Sequence, residues 1–204
     1  MSDFVPLREE DLDRDPLRQF DAWFRAAGEA GVSSPEAAAV ATASPEGLPS
    51  VRMVLVKQYD ERGFVFHTSY ESRKGRELAA NPRAALLFYW ATLGRQVRIE
   101  GPVERTAPAE TAVYVRTRAR ASQLSALASP QSEPIESREE LERRVAELAA
   151  RYEAGDPPLP EVWGGFRIRP ESYEFWQNRE DRLHDRLRYT RGEDGGWEVS
   201  RLGP

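Results

Sequence analysis

The sequence predicts an α+β domain in which an antiparallel barrel carries flanking helices. Short apolar or alternating runs, Ala37–Ala43, Ser50–Val56, Gly63–Thr68, Ala84–Trp90 and Arg95–Val103, are separated by Pro45-Glu-Gly47, Asp60-Glu-Arg-Gly63 and Gly101-Pro102. That is the spacing of consecutive strands joined by turns. Segments with helical periodicity and recognisable caps surround this block. No linker or repeat divides the chain, so residues 1–204 are read as one domain with 1–14 as a mobile N-terminal segment.

Each element has a local cause. Asp15 before Pro16 is an N-cap and N1 pair, and Leu17, Phe20, Trp23, Phe24 and Ala27 recur at helical spacing until Gly28 and Gly31. Ser72 to Ala80 reads as a short helix that stops before Asn81-Pro82, because proline disfavours helical geometry in the residue before it. A further helix is expected from about Ala109 to Arg120, followed by a polar stretch, Ser122 to Glu136, read as a loop with functional content. Ser137-Arg-Glu-Glu140 is a capping box, and Leu141, Val145, Leu148 and Tyr152 form the buried stripe of a helix ending near Gly155. Asp156-Pro-Pro-Leu-Pro160 is a rigid connector, after which Gly165–Arg169, Ser172–Trp176, Arg182–Thr190 and Trp197–Leu202 return to strand alternation.

Composition narrows the function. With 40% apolar and 31% charged residues the chain lies outside the disordered classes, and 29 Lys+Arg against 34 Asp+Glu give a net charge of −5. The longest apolar run, Ala84–Ala91, is far short of the roughly 20 residues of a membrane span. Cysteine is absent and only His67 and His184 are available, which disfavours disulfides, cysteine nucleophiles and a metal site. Acidic residues where a signal peptide needs a basic start lead to a cytoplasmic expectation. The overall acidity and the lack of a recognition signature count against nucleic acid as a partner. No P-loop, dinucleotide glycine pattern, nucleophile elbow or kinase set occurs.

Cations nevertheless cluster, which suits small anionic ligands. Ser72-Arg73-Lys74 stands at a helix start, where free N–H groups and the dipole already favour a phosphate; a plain cap with solvated cations fits the same residues. Alternation from Arg182 to Tyr189 puts Arg182, His184, Arg186 and Arg188 on one strand face and Leu183, Leu187 and Tyr189 on the other, as a binding strip or as an ordinary solvated edge. Arg52 and Lys57 differ in parity, so they serve one ligand only if their strand bends. Trp176 is a stacking surface or plain core. Many phosphate-binding groups with few nucleophiles suit a cofactor that carries the chemistry itself.

Taken in order, Arg52-Met-Val-Leu-Val-Lys57, Phe66-His-Thr68, Ser72-Arg-Lys74, Arg95-Gln96, Gln131-Ser132 and Glu174-Phe-Trp-Gln-Asn-Arg-Glu-Asp-Arg-Leu-His-Asp-Arg186 resemble the pyridoxine 5′-phosphate oxidase family over nearly the whole chain. The resemblance implies an FMN-binding split β-barrel, antiparallel and Greek-key-like, in a homodimer with its active sites at the interface. It implies that FMN is held by Arg52, Met53, Val54, Leu55, Val56, Lys57, His67, Thr68, Arg73, Lys74, Gln96, Gln131, Ser132, Trp176 and Arg186. Lys57, Tyr114, Arg118, Ser122, Arg182, Leu183 and His184 would meet the substrate, with Arg182 and His184 as catalytic residues. The implied reaction oxidises pyridoxine 5′-phosphate or pyridoxamine 5′-phosphate to pyridoxal 5′-phosphate, with O₂ as acceptor and H₂O₂ as product. Two other readings are a related flavin oxidase of phenazine biosynthesis, and a non-catalytic flavin- or pyridoxal-phosphate-binding carrier.

Overall fold

The computed structural model of the chain describes residues 5–193 and 195–204. Nine strands form one antiparallel sheet: β1 Ala37–Ala43, β2 Pro49–Asp60, β3 Gly63–Ser69, β4 Arg83–Trp90, β5 Arg95–Arg105, β6 Trp163–Ile168, β7 Ser172–Gln177, β8 Asp185–Arg191 and β9 Trp197–Arg201. The first six close into a barrel in the order β1-β2-β3-β6-β5-β4, and β7, β8 and β9 extend the sheet outward from β5. Among the described residues five α-helices flank it: α1 Pro16–Glu29, α2 Arg73–Ala80, α3 Pro108–Thr117, α4 Arg120–Ala128 and α5 Arg138–Arg151. No helix of the described residues is long and apolar enough to cross a membrane.

The split in the barrel follows from two residues of β5. Arg95–Glu100 pair with β7, whereas Val103–Arg105 pair with β6. Between them stands Gly101-Pro102, where proline has no N–H to donate and glycine leaves room for another backbone. The room is used: a Cβ on Gly101 would lie 1.9 Å from the Arg169 carbonyl oxygen.

Inside the barrel the packing is aromatic. Phe20 of α1 is fully buried and meets Phe64 at 4.8 Å and Tyr59 and Phe88 at 5.0 Å between ring centroids. Trp23, one helical turn on, packs edge-on to Phe175 of β7 at 5.2 Å. The helix that delivers both rings starts where the sequence says it must, with the Asp15 carboxylate accepting from the Leu17 N–H at 2.9 Å.

Several expectations are corrected. The helix expected over 109–120 breaks at Arg118 and Ala119, both extended, and the stretch read as a loop from Ser122 is helical to Ala128. The α5 stripe is half-buried, with no fully buried residue. The strand expected from Arg182 starts only at Asp185, because Glu180–Arg182 form a 3₁₀ turn in which Asp181 and Arg182 take left-handed φ values of 55° and 60°. Leu183 is therefore not on the buried face with Leu187 and Tyr189; it is 68% exposed. Of the N-terminal segment, residues 1–4 lie outside the described residues, but Leu7 is buried, and its N–H and C=O bond to Asp185 and Arg201 at 3.1 and 3.0 Å. The segment is thus tied down from Leu7, not from Asp15.

Gly101→Ala is expected to destabilise the protein by about 3 kcal/mol, since backbone must move to admit the methyl group. A denaturant midpoint equal to that of the unmodified protein would contradict this role for Gly101.

Candidate active site

The helix-start site is built from three elements. Ser72 caps α2, accepting from the Gly75 N–H at 3.3 Å, and Lys74 folds back from the first turn so that it is only 6% exposed. Its ammonium donates to Thr68 Oγ1 at 3.0 Å, to Ser72 Oγ at 3.3 Å and to Gln131 Oε1 at 3.5 Å, and Gln131 also accepts from the Thr68 hydroxyl at 2.7 Å. Among the described residues no carboxylate lies within ion-pair distance of it. Burial, aided by the Arg52 charge, lowers the Lys74 pKa to about 8. A buried ammonium surrounded by neutral groups at a helix N-terminus fits a phosphate.

Beside it, Glu77 organises Arg52 and Arg73. The carboxylate accepts from Arg73 Nε at 2.9 Å, Ser50 Oγ at 2.6 Å and Arg52 Nη2 at 3.3 Å, and also from the Thr42 hydroxyl. Burial alone would raise its pKa, but these hydrogen bonds outweigh it and bring it down to about 2. Arg52, paired with buried Val40, faces inward, while Met53 and Leu55 face outward and are exposed; Val54 and Val56 share the inner side. The bend that Lys57 needed exists, as the β2–β3 register shifts between Val56 and Gln58, yet Lys57 itself pairs with Glu36 at 2.6 Å.

A second group lies on the outer face of β3 and β6. His67 stacks on Tyr114 of α3 at 3.8 Å, Trp163 lies 5.6 Å beyond, and the Arg118 guanidinium stands 4.8 Å over the Trp163 ring. His67 Nδ1 and Arg118 Nη1 are buried without a hydrogen-bond partner. Burial, with Arg118 adding to it, lowers the His67 pKa to about 4, so the ring is neutral and Arg118 is the cation. Ser122 lies half-buried on the first turn of α4, and Ser132, beside Gln131, is exposed with φ of 75°.

The C-terminal residues form a third group on the outer face of the sheet. Gln96, Trp176 and Arg186 occupy one row across β5, β7 and β8. Trp176 contacts the His184 ring at 4.6 Å, and His184 Nδ1 accepts from the Arg179 N–H at 3.2 Å, which leaves Nε2 as the nitrogen that can donate. Arg182 and Leu183 are exposed on the strained turn. Arg186 bonds to Glu174 at 2.8 Å, and Glu174 also holds Arg98 at 2.6 Å. Among the described residues no hydrogen bond, ion pair or ring contact joins Gln96, Trp176, Arg182, His184 or Arg186 to the first two groups.

Two family models match. One, described as pyridoxamine 5′-phosphate oxidase, covers residues 24–152, and the other, a pyridoxine 5′-phosphate oxidase C-terminal dimerisation region, covers 163–204. The chain belongs to the pyridoxine/pyridoxamine 5′-phosphate oxidase family. Members named for that activity include one from Rubrobacter xylanophilus, 59% identical over 97% of this chain and 91% of its own length. Another, from Gluconobacter oxydans, is 52% identical over the full length of both chains. The crystal structure of PhzG from Burkholderia lata in complex with tetrahydrophenazine-1-carboxylic acid is 35% identical, covers 98% of each chain and superposes with a TM-score of 0.91. A pyridoxamine 5′-phosphate oxidase-related FMN-binding protein of Nostoc punctiforme, 17% identical with a TM-score of 0.72, shares the fold. Membership makes the protein an oxidoreductase on a flavin-binding split barrel, and the dimerisation region supports a homodimer.

Glu77, Thr42, Ser50, Trp163 and Glu174 have no assigned role in the sequence reading. Only Glu77 leaves a clear local signal, four residues after Arg73 on one helix.

Glu77→Gln leaves Arg52 and Arg73 without their shared counter-charge and is expected to cost about 3 kcal/mol. In the unmodified protein this contribution is fully present above the ordinary carboxylate pKa of 4.5 and is lost as pH falls toward about 2. Thermal unfolding across that range should accordingly show a flatter acid limb in the variant; identical acid limbs would exclude the assignment.

Proposed function

We propose that this chain, as a homodimer, binds FMN and oxidises pyridoxine 5′-phosphate and pyridoxamine 5′-phosphate to pyridoxal 5′-phosphate, with O₂ as acceptor and H₂O₂ as product. One observation carries the reading: adjacent residues of β3, His67 and Thr68, join two separate groups that each hold a buried or half-buried cation, the Arg118 stack and the Lys74 cradle. A phosphorylated cofactor and a phosphorylated substrate need two such groups. Relatives named for both substrates match the chain at more than half of its positions over nearly its whole length.

In this reading Lys74, Arg52 and Arg73 hold the FMN phosphate, with Thr68, Gln131 and Ser132 as polar neighbours. Bound FMN supplies a two-electron acceptor that O₂ reoxidises. Arg118, through its unpartnered Nη1, takes the substrate phosphate with the hydroxyls of Tyr114 and Ser122, and Lys57 adds a cation on release from Glu36. Gln96, Trp176 and Arg186 approach the same flavin from the second copy, which is why one chain keeps them apart from the cradle. His184, through Nε2, and the Arg182 guanidinium would then lie against the substrate ring and orient C4′ for the breaking of its C–H bond. Two consecutive left-handed residues, Asp181 and Arg182, are a strain of the kind held at functional turns.

The similarity to PhzG supports a second reading, oxidation of phenazine precursors, at 35% identity against 59%. Aerobic incubation of the FMN-loaded protein with pyridoxine 5′-phosphate decides between them, following pyridoxal 5′-phosphate and H₂O₂ together. Equal formation of both over many turnovers is expected, and Arg182→Ala should lower turnover by roughly tenfold or more with little change in FMN affinity. FMN binding without either product would point to the phenazine reading or to a carrier, and equal loss of turnover and FMN affinity in Arg182→Ala would remove the catalytic role.

Lys74 also makes FMN affinity depend on pH. Its pKa in the free protein is near 8, and a bound phosphate raises it, so binding above that pH must take up a proton. FMN affinity measured by flavin fluorescence should hold steady from about pH 7 to 8 and then fall by up to about tenfold per pH unit. In Lys74→Met that inflection should vanish along with much of the affinity; an inflection that survives would assign it to another group.

A further inference from the structure

Helix α3 lies along the outer face of β3 and β6, meeting them at three levels. Glu110, in the first turn of α3, meets Arg167. Tyr114, one turn later, lies on His67, whose strand partner is Gly165. Arg118, at the C-cap, covers Trp163. Eight residues of helix advance about 12 Å and four residues of strand about 13 Å, so Glu110 and Arg118 match the separation of Arg167 and Trp163. The helix therefore runs antiparallel to β6 in one register.

The first turn of α3 is the pinned end, where Thr111 accepts from the Gly165 N–H at 3.3 Å beside the Glu110–Arg167 pair. Arg167 is 3% exposed, and its guanidinium also donates to Asp60 Oδ1 at 2.9 Å. Arg62 closes the ring, bonding to Asp60 at 2.6 Å and to Glu110 at 3.0 Å. Sliding α3 by one residue would take Glu110 away from a buried cation, whereas the stacked rings at the other end tolerate small displacements.

We infer that Glu110 and Arg167 are positioning residues that set the register of α3 on β6 and so hold Tyr114 and Arg118 where a substrate phosphate meets them. The inference rests on the substrate reading above, and neither residue touches substrate or cofactor.

The test compares unmodified protein, Glu110→Ala, Glu110→Gln, Arg118→Ala and the Glu110→Ala/Arg118→Ala double variant, all loaded with FMN. KM and kcat for pyridoxine 5′-phosphate, FMN affinity and melting temperature are measured for each. Glu110→Ala should raise KM roughly tenfold with kcat within about twofold and FMN affinity unchanged. Glu110→Gln, which keeps an acceptor for Arg167, should recover most of the loss. In the Arg118→Ala background the same Glu110→Ala change should add less than about twofold, because the group it positions is gone. An unchanged KM, a parallel loss of FMN affinity, or a full effect in the Arg118→Ala background would each overturn the inference. If the unmodified protein fails to oxidise either B6 phosphate, the functional reading fails and this inference with it, a result separable from variants that behave like the active parent.

Discussion

β5 must satisfy the backbone of β4 on one edge and of two different strands on the other, and the rest of the fold depends on how it does so. Its first half continues the sheet into β7, β8 and β9, and its second half turns back to close the barrel through β6. The switch is a change of partner at Gly101-Pro102, where the chain removes a donor and a Cβ together. Because of it, one strand joins the barrel that carries Lys74 and Arg118 to the outer strands that carry Trp176 and Arg186. The aromatic cluster around Phe20 then fills the closed part, while Trp23 reaches toward the extension.

Electrostatics divide the cations of this acidic chain into two kinds. Arg52, Arg167 and Arg186 each have a carboxylate within ion-pair distance, which fixes where they stand, Arg52 and Arg186 of the proposed FMN set included. Lys74 is held by neutral oxygens alone, and Arg118 keeps one buried nitrogen unpartnered. Desolvation makes such groups costly in the free protein, and the cost is relieved when an anion arrives. The paired ions fix the geometry of their neighbours so that the unpaired ones are already in place.

Much of this was legible in the sequence, and the failures have identifiable causes. Short apolar or alternating runs gave every strand of the barrel, although β3 and β6 are buried on both faces and show no alternation of burial. Helix α4 left little pattern, since only Leu124 and Ala128 of it are buried. The alternation of Arg182, His184, Arg186 and Arg188 is genuine in the residue order but breaks in space, because side-chain periodicity carries no information about a left-handed backbone; Asp181, a residue type that tolerates that conformation, was the available hint. The phosphate cradle was legible in part: Ser72-Arg73-Lys74 marked the helix start and Glu77 stands four residues after Arg73, but Gln131 joins through folding that no local spacing announces.

The outward side of β2 leaves Val51, Met53 and Leu55 in solvent, with Met53 64% exposed, and Tyr89 of β4 is exposed on the same side of the sheet. A contiguous row of exposed apolar side chains on paired strands has the character of an interaction surface. In a homodimer whose interface covered that row, subunit association and folding would obey a common mass action, and dilution would lower the apparent stability.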